Sequence, residues 1–169
     1  MPDGMHGPVP VYLSIGSNIA PEENLRLACR ELSADFGELE MSPVYRNEAV
    51  GFEGGDFLNM VIGFSTQEEP EVLLEKLEEL HKQAGRQRQA GNPFCSRTLD
   101  LDLLLYGDLV RRELKLPHGD IDKYDFVIRP LAEVAPEVKH PLSGKAMSDI
   151  WEDFDHESHP LERVELAIE

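Results

Sequence analysis

The most regular alternation of hydrophobic and polar residues in the chain lies at residues 97–108, with the sequence RTLDLDLLLYGD. A period of two predicts a β-strand, in which successive side chains point to opposite faces. Asp100 and Asp102 therefore share one face, and their backbones lie about 6.6 Å apart at a rise of roughly 3.3 Å per residue. The residues predicted to point the other way, into a core, are Leu99, Leu101 and Leu103.

Two neighbouring carboxylates on an apolar strand repel each other and are costly to remove from water. A hard divalent cation between Asp100 and Asp102 relieves both penalties, and Mg²⁺ is usually bound by one or two carboxylates together with substrate phosphates. The pair therefore predicts a Mg²⁺ site. An edge strand with one solvated face and two ordinary surface aspartates is the alternative.

Similar patterns upstream predict three further strands and two helices. The helices are predicted to begin at Pro21 and Pro70, because apolar residues recur there at helical spacing until Gly37 and Gly85. The order βαββαβ is that of a ferredoxin-like α+β fold, an antiparallel sheet with both helices on one face and the other face free for a ligand. The predicted strands are Val9–Ile15, Leu39–Tyr45 and Phe57–Thr66.

The remainder of the chain predicts loops and C-terminal additions to this fold. Loops are expected at 46–55 and 87–96, and helical patterns recur at 126–135 and 146–151. We expect a single domain at 1–151 followed by an acidic tail, 152–169, that is poorly ordered.

Composition narrows the class of protein. The 169 residues include 33 acidic and 16 basic side chains, a formal net charge of −17 that argues against nucleic acid and membrane partners. No apolar run approaches membrane-spanning length, and Cys29 and Cys95 form no disulfide framework. The N-terminus lacks the features of a signal peptide, so we expect a cytoplasmic protein, a monomer or weak homodimer, that acts on small molecules.

A local excess of basic residues precedes the aspartate strand. No acidic residue occurs from His81 to Leu99, a segment that holds Lys82, Arg86, Arg88 and Arg97. Arginines beside Mg²⁺ are the recurring clamp on a polyphosphate, so the segment predicts an anionic ligand. A solvated basic helix end would also explain Lys82 and Arg86, although it explains Arg97 poorly.

The strand at 57–66 contains an amide in apolar surroundings. Asn59 is unfavourable there unless its amide has partners. One interpretation is recognition of a planar heterocycle, with Phe57 supplying an aromatic contact, because an amide offers both donors and an acceptor. The alternative is that Asn59 satisfies the backbone of a neighbouring loop.

Several segments together resemble the 6-hydroxymethyl-7,8-dihydropterin pyrophosphokinase family. The resemblance extends from Tyr12 to about Trp151. It implies Mg²⁺-dependent transfer of pyrophosphate from ATP to the pterin hydroxymethyl group, giving AMP and the pterin pyrophosphate in folate biosynthesis. The segments that carry it are YLSIGSN at 12–18, FLN at 57–59, GRQR at 85–88, RTLDLDLLLYG at 97–107, LPH at 116–118 and PLAEVAP at 130–136.

The resemblance also implies roles for individual residues. Two Mg²⁺ ions would be bound by Asp100 and Asp102, with ATP as co-substrate, and these two aspartates together with Arg86 and Arg97 would be catalytic. The implied ATP-binding residues are Arg86, Arg88, Arg97 and His118. The implied pterin-binding residues are Asn47, Val50, Phe57, Asn59 and Phe126.

The sequence departs from the family pattern at several places. His81 stands where a Glu is common, residues 92–96 lack the usual loop arginine and tryptophan, and Tyr124 stands where an Arg is usual. Two alternatives to an active pyrophosphokinase therefore stay open. One is a diverged paralogue with altered substrate or low activity, and the other is a non-catalytic protein that binds pterin or nucleotide.

Overall fold

We describe the fold from a computed structural model, in which residues 7–47, 56–85, 99–154, 161–166 and 168 are described. The strands are β1 Val9–Ser17, β2 Glu40–Met41, β3 Val44–Asn47, β4 Phe57–Thr66, β5 Asp100–Tyr106 and β6 Glu162–Val164. The helices are α1 Pro21–Phe36, α2 Pro70–Gly85, α3 Asp125–Val134 and α4 Met147–Asp153, with short 3₁₀ turns at Arg112–Leu114 and Gly119–Asp122.

The two long helices have the predicted limits. Each begins at a proline, whose fixed φ and missing N–H suit the first turn of a helix. α1 is followed by Gly37 at φ 87°, a left-handed conformation that glycine adopts without a Cβ penalty, and its N–H donates to the Ser33 carbonyl at 2.8 Å. The helix ends predicted from these prolines and glycines therefore agree with the structure.

The sheet confirms the ferredoxin-like fold class. Its order is β5-β1-β4-β3-β6, and β2 also pairs with β4. The central strands β1 and β4 run antiparallel, from Val9 opposite Thr66 to Ser17 opposite Leu58. This arrangement makes β5 an outer strand within the described part of the sheet.

The predicted strand at Leu39–Tyr45 is wrong as a continuous element, because β2 and β3 are separate there. Ser42 and Pro43 lie between them, and proline has no N–H for a strand ladder. The Ser42 hydroxyl accepts the Val61 N–H at 2.9 Å, while the Ser42 N–H donates to the Val61 carbonyl at 2.9 Å. Both segments remain attached to β4 through this contact.

The two faces of the sheet are covered differently. The face that we call the first face packs against α1 and α2, and Leu99, Leu101 and Leu103 are buried there as predicted. The opposite, second face carries a smaller core beneath α3 and α4. These two helices therefore cover part of the face that the ferredoxin-like arrangement leaves open.

A β-bulge explains why the second face needs a cover. The register between β1 and β5 shifts after Tyr12, which lies opposite Leu105, so that Leu13 lies opposite Leu103 and Leu104 is the additional residue. Leu104 and Leu105 consequently join Tyr12 in the core of the second face. Asp100 and Asp102 also lie on the second face. They precede the bulge, near the beginning of β5.

The acidic tail is partly built into the sheet. β6 pairs with β3, with Val44 opposite Val164 and Arg46 opposite Glu162. The expectation of poor order is wrong for this strand, whereas the division of the chain at residue 151 stays a prediction. Among the residues that the structure describes, none of the helices combines the length and apolar character needed to cross a membrane.

Candidate active site

Three neighbouring strands place a carboxylate, a glycine and an amide in one row on the second face. Gly16 of β1 lies opposite Asp100 of β5 on one side and opposite Asn59 of β4 on the other. In the adjacent row, Ser14 lies opposite Asp102. The sheet register therefore brings together the predicted metal ligands and the predicted heterocycle-binding amide, which are far apart in sequence.

Gly16 is the floor beneath the amide of Asn59. A Cβ at residue 16 would lie 2.7 Å from Asn59 Oδ1, closer than real Cβ contacts allow. The Asn59 side chain, buried apart from 8% of its surface, thus lies across β1, and its Nδ2 donates to Asn47 Oδ1. Asn59 is thereby held by the side chain of Asn47 on the neighbouring strand.

The electrostatics of the aspartate pair favour a cation. Burial is the main cause that raises the pKa of Asp102, and the neighbouring charge of Asp100 raises it further. Asp120 acts in the same direction, while His118 lowers the pKa of Asp102. A divalent cation bound to these carboxylate oxygens would offset the repulsion, and oxygen donors are those that Mg²⁺ prefers.

A histidine and a third carboxylate lie beside Asp102. His118 Nε2 is 3.9 Å from Asp102 Oδ1, and His118 Nδ1 accepts the Asp120 N–H at 3.1 Å. Asp102, His118 and Asp120 each offer one ligand atom within 4.8 Å of the others. The sequence reading missed Asp120, although its spacing of two residues from His118 was a signal.

The predicted pterin residues that the structure describes belong to three elements in mutual contact, β3, β4 and α3. Phe57 pairs with Asn47 across β3 and β4, two positions from Asn59. Phe126 lies in the first turn of α3, the helix that packs against β4, and its ring stacks on Tyr124 with centroids 4.9 Å apart. The departure at Tyr124 therefore places an aromatic ring directly against a predicted pterin-binding residue.

Part of the predicted site falls outside the described residues. Val50, Arg86, Arg88 and Arg97 belong to this part, together with most of the two predicted loops. Their neighbours in sequence are placed, because α2 ends at Gly85 and Leu99 is buried in the core. Lys82 is exposed in the last turn of α2, where the solvated helix-end interpretation puts it.

Comparison with known proteins connects this geometry to a family. The family model for 7,8-dihydro-6-hydroxymethylpterin-pyrophosphokinase matches residues 12–136, most of the chain. The chain belongs to this pyrophosphokinase family. The matched region includes the row of Asp100, Gly16 and Asn59 as well as His118, so it contains the whole of the candidate site described above.

Curated relatives of this pyrophosphokinase agree with the assignment. A 2-amino-4-hydroxy-6-hydroxymethyldihydropteridine pyrophosphokinase of Aquifex aeolicus is 38% identical over 143 residues, covering 82% of this chain and 88% of the relative. The enzyme of that name from Haemophilus influenzae is 32% identical over 154 residues, covering 88% of this chain and 95% of the relative. The resemblance read from the motifs is therefore confirmed, and the chain is an enzyme of the pyrophosphokinase class.

Solved structures support the fold of this pyrophosphokinase independently. A crystal structure of Plasmodium falciparum HPPK-DHPS superposes with a TM-score of 0.67 at 10% identity and covers 88% of this chain. A structure of HPPK-DHPS in complex with substrates gives a TM-score of 0.66 at 12% identity over 86% of this chain. The chain spans 46% and 44% of those two chains, under half their length.

Proposed function

We propose that this pyrophosphokinase transfers the terminal pyrophosphoryl group of ATP to the hydroxymethyl oxygen of 6-hydroxymethyl-7,8-dihydropterin in a Mg²⁺-dependent reaction. AMP and the pterin pyrophosphate are the products. The observation that carries the proposal is the row of Asp100, Gly16 and Asn59, in which a carboxylate lies one strand away from a buried amide. Family membership supports the same reaction in folate biosynthesis.

Asp100 and Asp102 are the proposed ligands of two Mg²⁺ ions. The raised pKa of Asp102 marks a carboxylate whose charge is poorly compensated within the described protein, which suits a site built for a cation. Bound Mg²⁺ would supply charge neutralisation on the triphosphate and orientation of the reacting groups. The protein contributes the spacing of the two carboxylates, which their positions on one strand face fix.

The amide of Asn59 is the proposed recognition group for the pterin. It lies over Gly16 and is steadied by Asn47, so it can meet the edge of a planar ring without losing side-chain freedom on binding. Phe57 and Phe126 are proposed to contact the ring faces, and Val50 to line the same pocket. Tyr124, which stands at the position of the usual arginine, stacks on Phe126 and extends this aromatic surface.

The nucleotide is proposed to bind along the outer edge of β5. His118 is held there because its backbone N–H donates to the Leu104 carbonyl at 3.0 Å. Its ring lies between Asp102 and Asp120. Arg86, Arg88 and Arg97 are proposed to bind the phosphates, with Arg86 and Arg97 stabilising the charge that develops during transfer.

The products distinguish this reaction from others. Purified protein is incubated with ATP, Mg²⁺ and 6-hydroxymethyl-7,8-dihydropterin, and the nucleotide product is identified by chromatography. AMP formed in equal amount to the pterin pyrophosphate supports the proposal. ADP would indicate a different phosphoryl transfer, and the absence of any product would favour the binding-protein alternative.

Substitutions in β5 test the metal assignment. Asp100→Asn and Asp102→Asn should each lower turnover by at least about 10³-fold. Each substitution removes one negatively charged ligand of the Mg²⁺ ions that stabilise the transition state. Asp108→Asn is the matched control, since Asp108 is exposed just beyond the same strand. Near-normal turnover in either site variant would refute the assignment.

A further inference from the structure

His81 makes a hydrogen bond to the backbone between the two site aspartates. It lies near the C-terminal end of α2, and its Nε2 accepts the Leu101 N–H at 2.9 Å. Leu101 separates Asp100 from Asp102, and its side chain points into the core of the first face. His81 therefore binds the backbone N–H of the residue between the two aspartates and contacts neither carboxylate.

The position of Leu101 gives this bond its importance. β5 is an outer strand in the described part of the sheet, so an N–H that points away from β1 has no strand partner. His81 takes up that donor, while the Leu104 carbonyl on the same strand accepts the His118 N–H at 3.0 Å. Two histidines thus hold the outer edge of the strand, one from α2 and one from the segment that follows β5.

The bond requires the neutral form of the His81 ring. A nitrogen that accepts an N–H carries no proton of its own, so the ring proton of His81 lies on Nδ1. Nδ1 faces Glu78 Oε1 at 3.4 Å, one turn earlier in α2. Glu78 consequently favours the tautomer in which Nε2 is free to accept from Leu101.

We propose that His81 is a positioning residue that holds the β5 backbone between Asp100 and Asp102 at a fixed distance from α2. The proposal rests on the proposed function, in which those aspartates hold Mg²⁺. α2 ends at Gly85, directly before the predicted phosphate-binding Arg86, so one hydrogen bond joins the helix that leads to the arginines to the strand that carries the aspartates. The bond acts on the metal site through the backbone rather than through contact with substrate.

Three substitutions separate the hydrogen bond from the bulk of the ring. His81→Gln keeps an acceptor at nearly the reach of Nε2, His81→Asn places it too close to α2, and His81→Leu removes it. Exchange of the Leu101 amide with solvent, followed by NMR, should accelerate about tenfold in the Asn and Leu variants and recover in the Gln variant, as expected for one lost hydrogen bond. Gln83→Leu is the control, because Gln83 is exposed on the same turn of α2.

Two further measurements show whether the bond serves the metal site. Calorimetry with Mg²⁺ and a non-hydrolysable ATP analogue should show affinity weakened about fivefold to tenfold in the Asn and Leu variants but not in the Gln variant. Steady-state turnover should fall in kcat, with the KM for the pterin unchanged. Affinity and kcat equal across the three variants, even with accelerated Leu101 exchange, would overturn the proposal.

These outcomes are separable from failure of the proposed function. Wild-type protein that forms no AMP refutes the function, whereas the His81 proposal is then decided by Leu101 exchange and by the affinity for Mg²⁺ and the analogue. A Leu101 amide that exchanges equally fast in wild type and in His81→Leu would overturn the proposal in either case.

Discussion

Asp102 makes the unliganded site costly for the folded protein. Burial, and then the charge of Asp100, raises its pKa above the usual 3.8, so the folded chain binds this proton more tightly than the unfolded chain does. Stability therefore falls as the pH rises from the usual carboxyl pKa through the raised value, and the loss is complete above it. The proposed Mg²⁺ site would offset this cost, because a bound cation compensates the buried charge.

Asp102→Asn should accordingly stabilise the Mg²⁺-free protein at neutral pH, by up to about 1 kcal/mol because solvent screens a side chain that is 37% exposed. The gain should vanish below the usual carboxyl pKa, where wild-type Asp102 is protonated. Chemical denaturation at both pH values, without Mg²⁺, measures the difference. A variant that is equally or less stable at neutral pH would contradict the electrostatic argument.

Gly16→Ala tests the contact between β1 and the Asn59 amide. The new Cβ would lie 2.7 Å from Asn59 Oδ1, so the amide must turn away from its place beside Asn47. Pterin affinity should fall about tenfold, near 1.4 kcal/mol, while affinity for Mg²⁺ and nucleotide stays unchanged. In an Asn59→Ala background the same substitution should have no further effect on pterin affinity, and an undiminished effect there would show that Gly16 acts by another route.

At this scale the sequence indicated the chemistry but not the neighbours. Alternation alone placed Asp100 and Asp102 on one face, because a strand repeats every two residues. The contact of Gly16 with Asn59 and the bond of His81 to Leu101 depend on strand register and helix docking, which local pattern does not encode. His81 could be noted from sequence only as a departure from the family pattern.

At the scale of elements, Tyr45 joins the sheet to α3. Its ring is fully buried, and its hydroxyl donates to the Glu133 carboxylate, 2.7 and 2.8 Å from the two oxygens. Arg129 lies over the ring at 4.7 Å. Burial, with the bond and charge of Glu133, raises the pKa of Tyr45 to about 12, so the phenol stays protonated and can donate throughout the working range of pH.

Tyr45→Phe should therefore lower the free energy of unfolding by about 0.5–1.5 kcal/mol, the usual contribution of one hydrogen bond. Because Tyr45 pairs with Asn59 across β3 and β4, pterin affinity should also weaken slightly. Urea denaturation measures the first effect and calorimetry the second. Ultraviolet titration should show one fewer tyrosine that ionises at high pH in Tyr45→Phe than in the wild type. Identical titration curves at high pH would contradict the raised pKa of Tyr45.

The elements were predictable where local signals agreed and were not where pairing decided. Prolines and glycines marked α1 and α2 correctly, whereas the split between β2 and β3 follows from Ser42 hydrogen bonding to Val61. The bulge at Leu104 likewise depends on the register with β1. It turns two adjacent leucines toward α3, which is why this helix covers part of the second face.

For the molecule as a whole, the acidic tail shows the limit of composition as a guide. Its charge predicted poor order, yet β6 pairs with β3 more than a hundred residues earlier in the chain. The apolar residues of the tail explain the difference, since Val164, Leu166 and Ile168 pack against the core of the first face. A few partly buried apolar side chains at alternate positions outweigh the charge of the residues between them.

Removal of residues 161–169 should consequently destabilise the whole domain, by about 1–3 kcal/mol if these partly buried side chains contribute at the usual rate for apolar burial. The outer edge of β3 would lose its partner, and because β3 carries Asn47, pterin affinity should fall while affinity for Mg²⁺ and nucleotide is kept. Glu162→Ala is the control, since its pair with Arg46 is exposed and should be worth under about 0.5 kcal/mol. Chemical denaturation and calorimetry are carried out on both proteins. A truncated chain as stable as the wild type would mean that β6 adds nothing to the stability of the fold. Loss of nucleotide affinity along with pterin affinity would mean that β6 supports the entire site rather than only the part that contains Asn47.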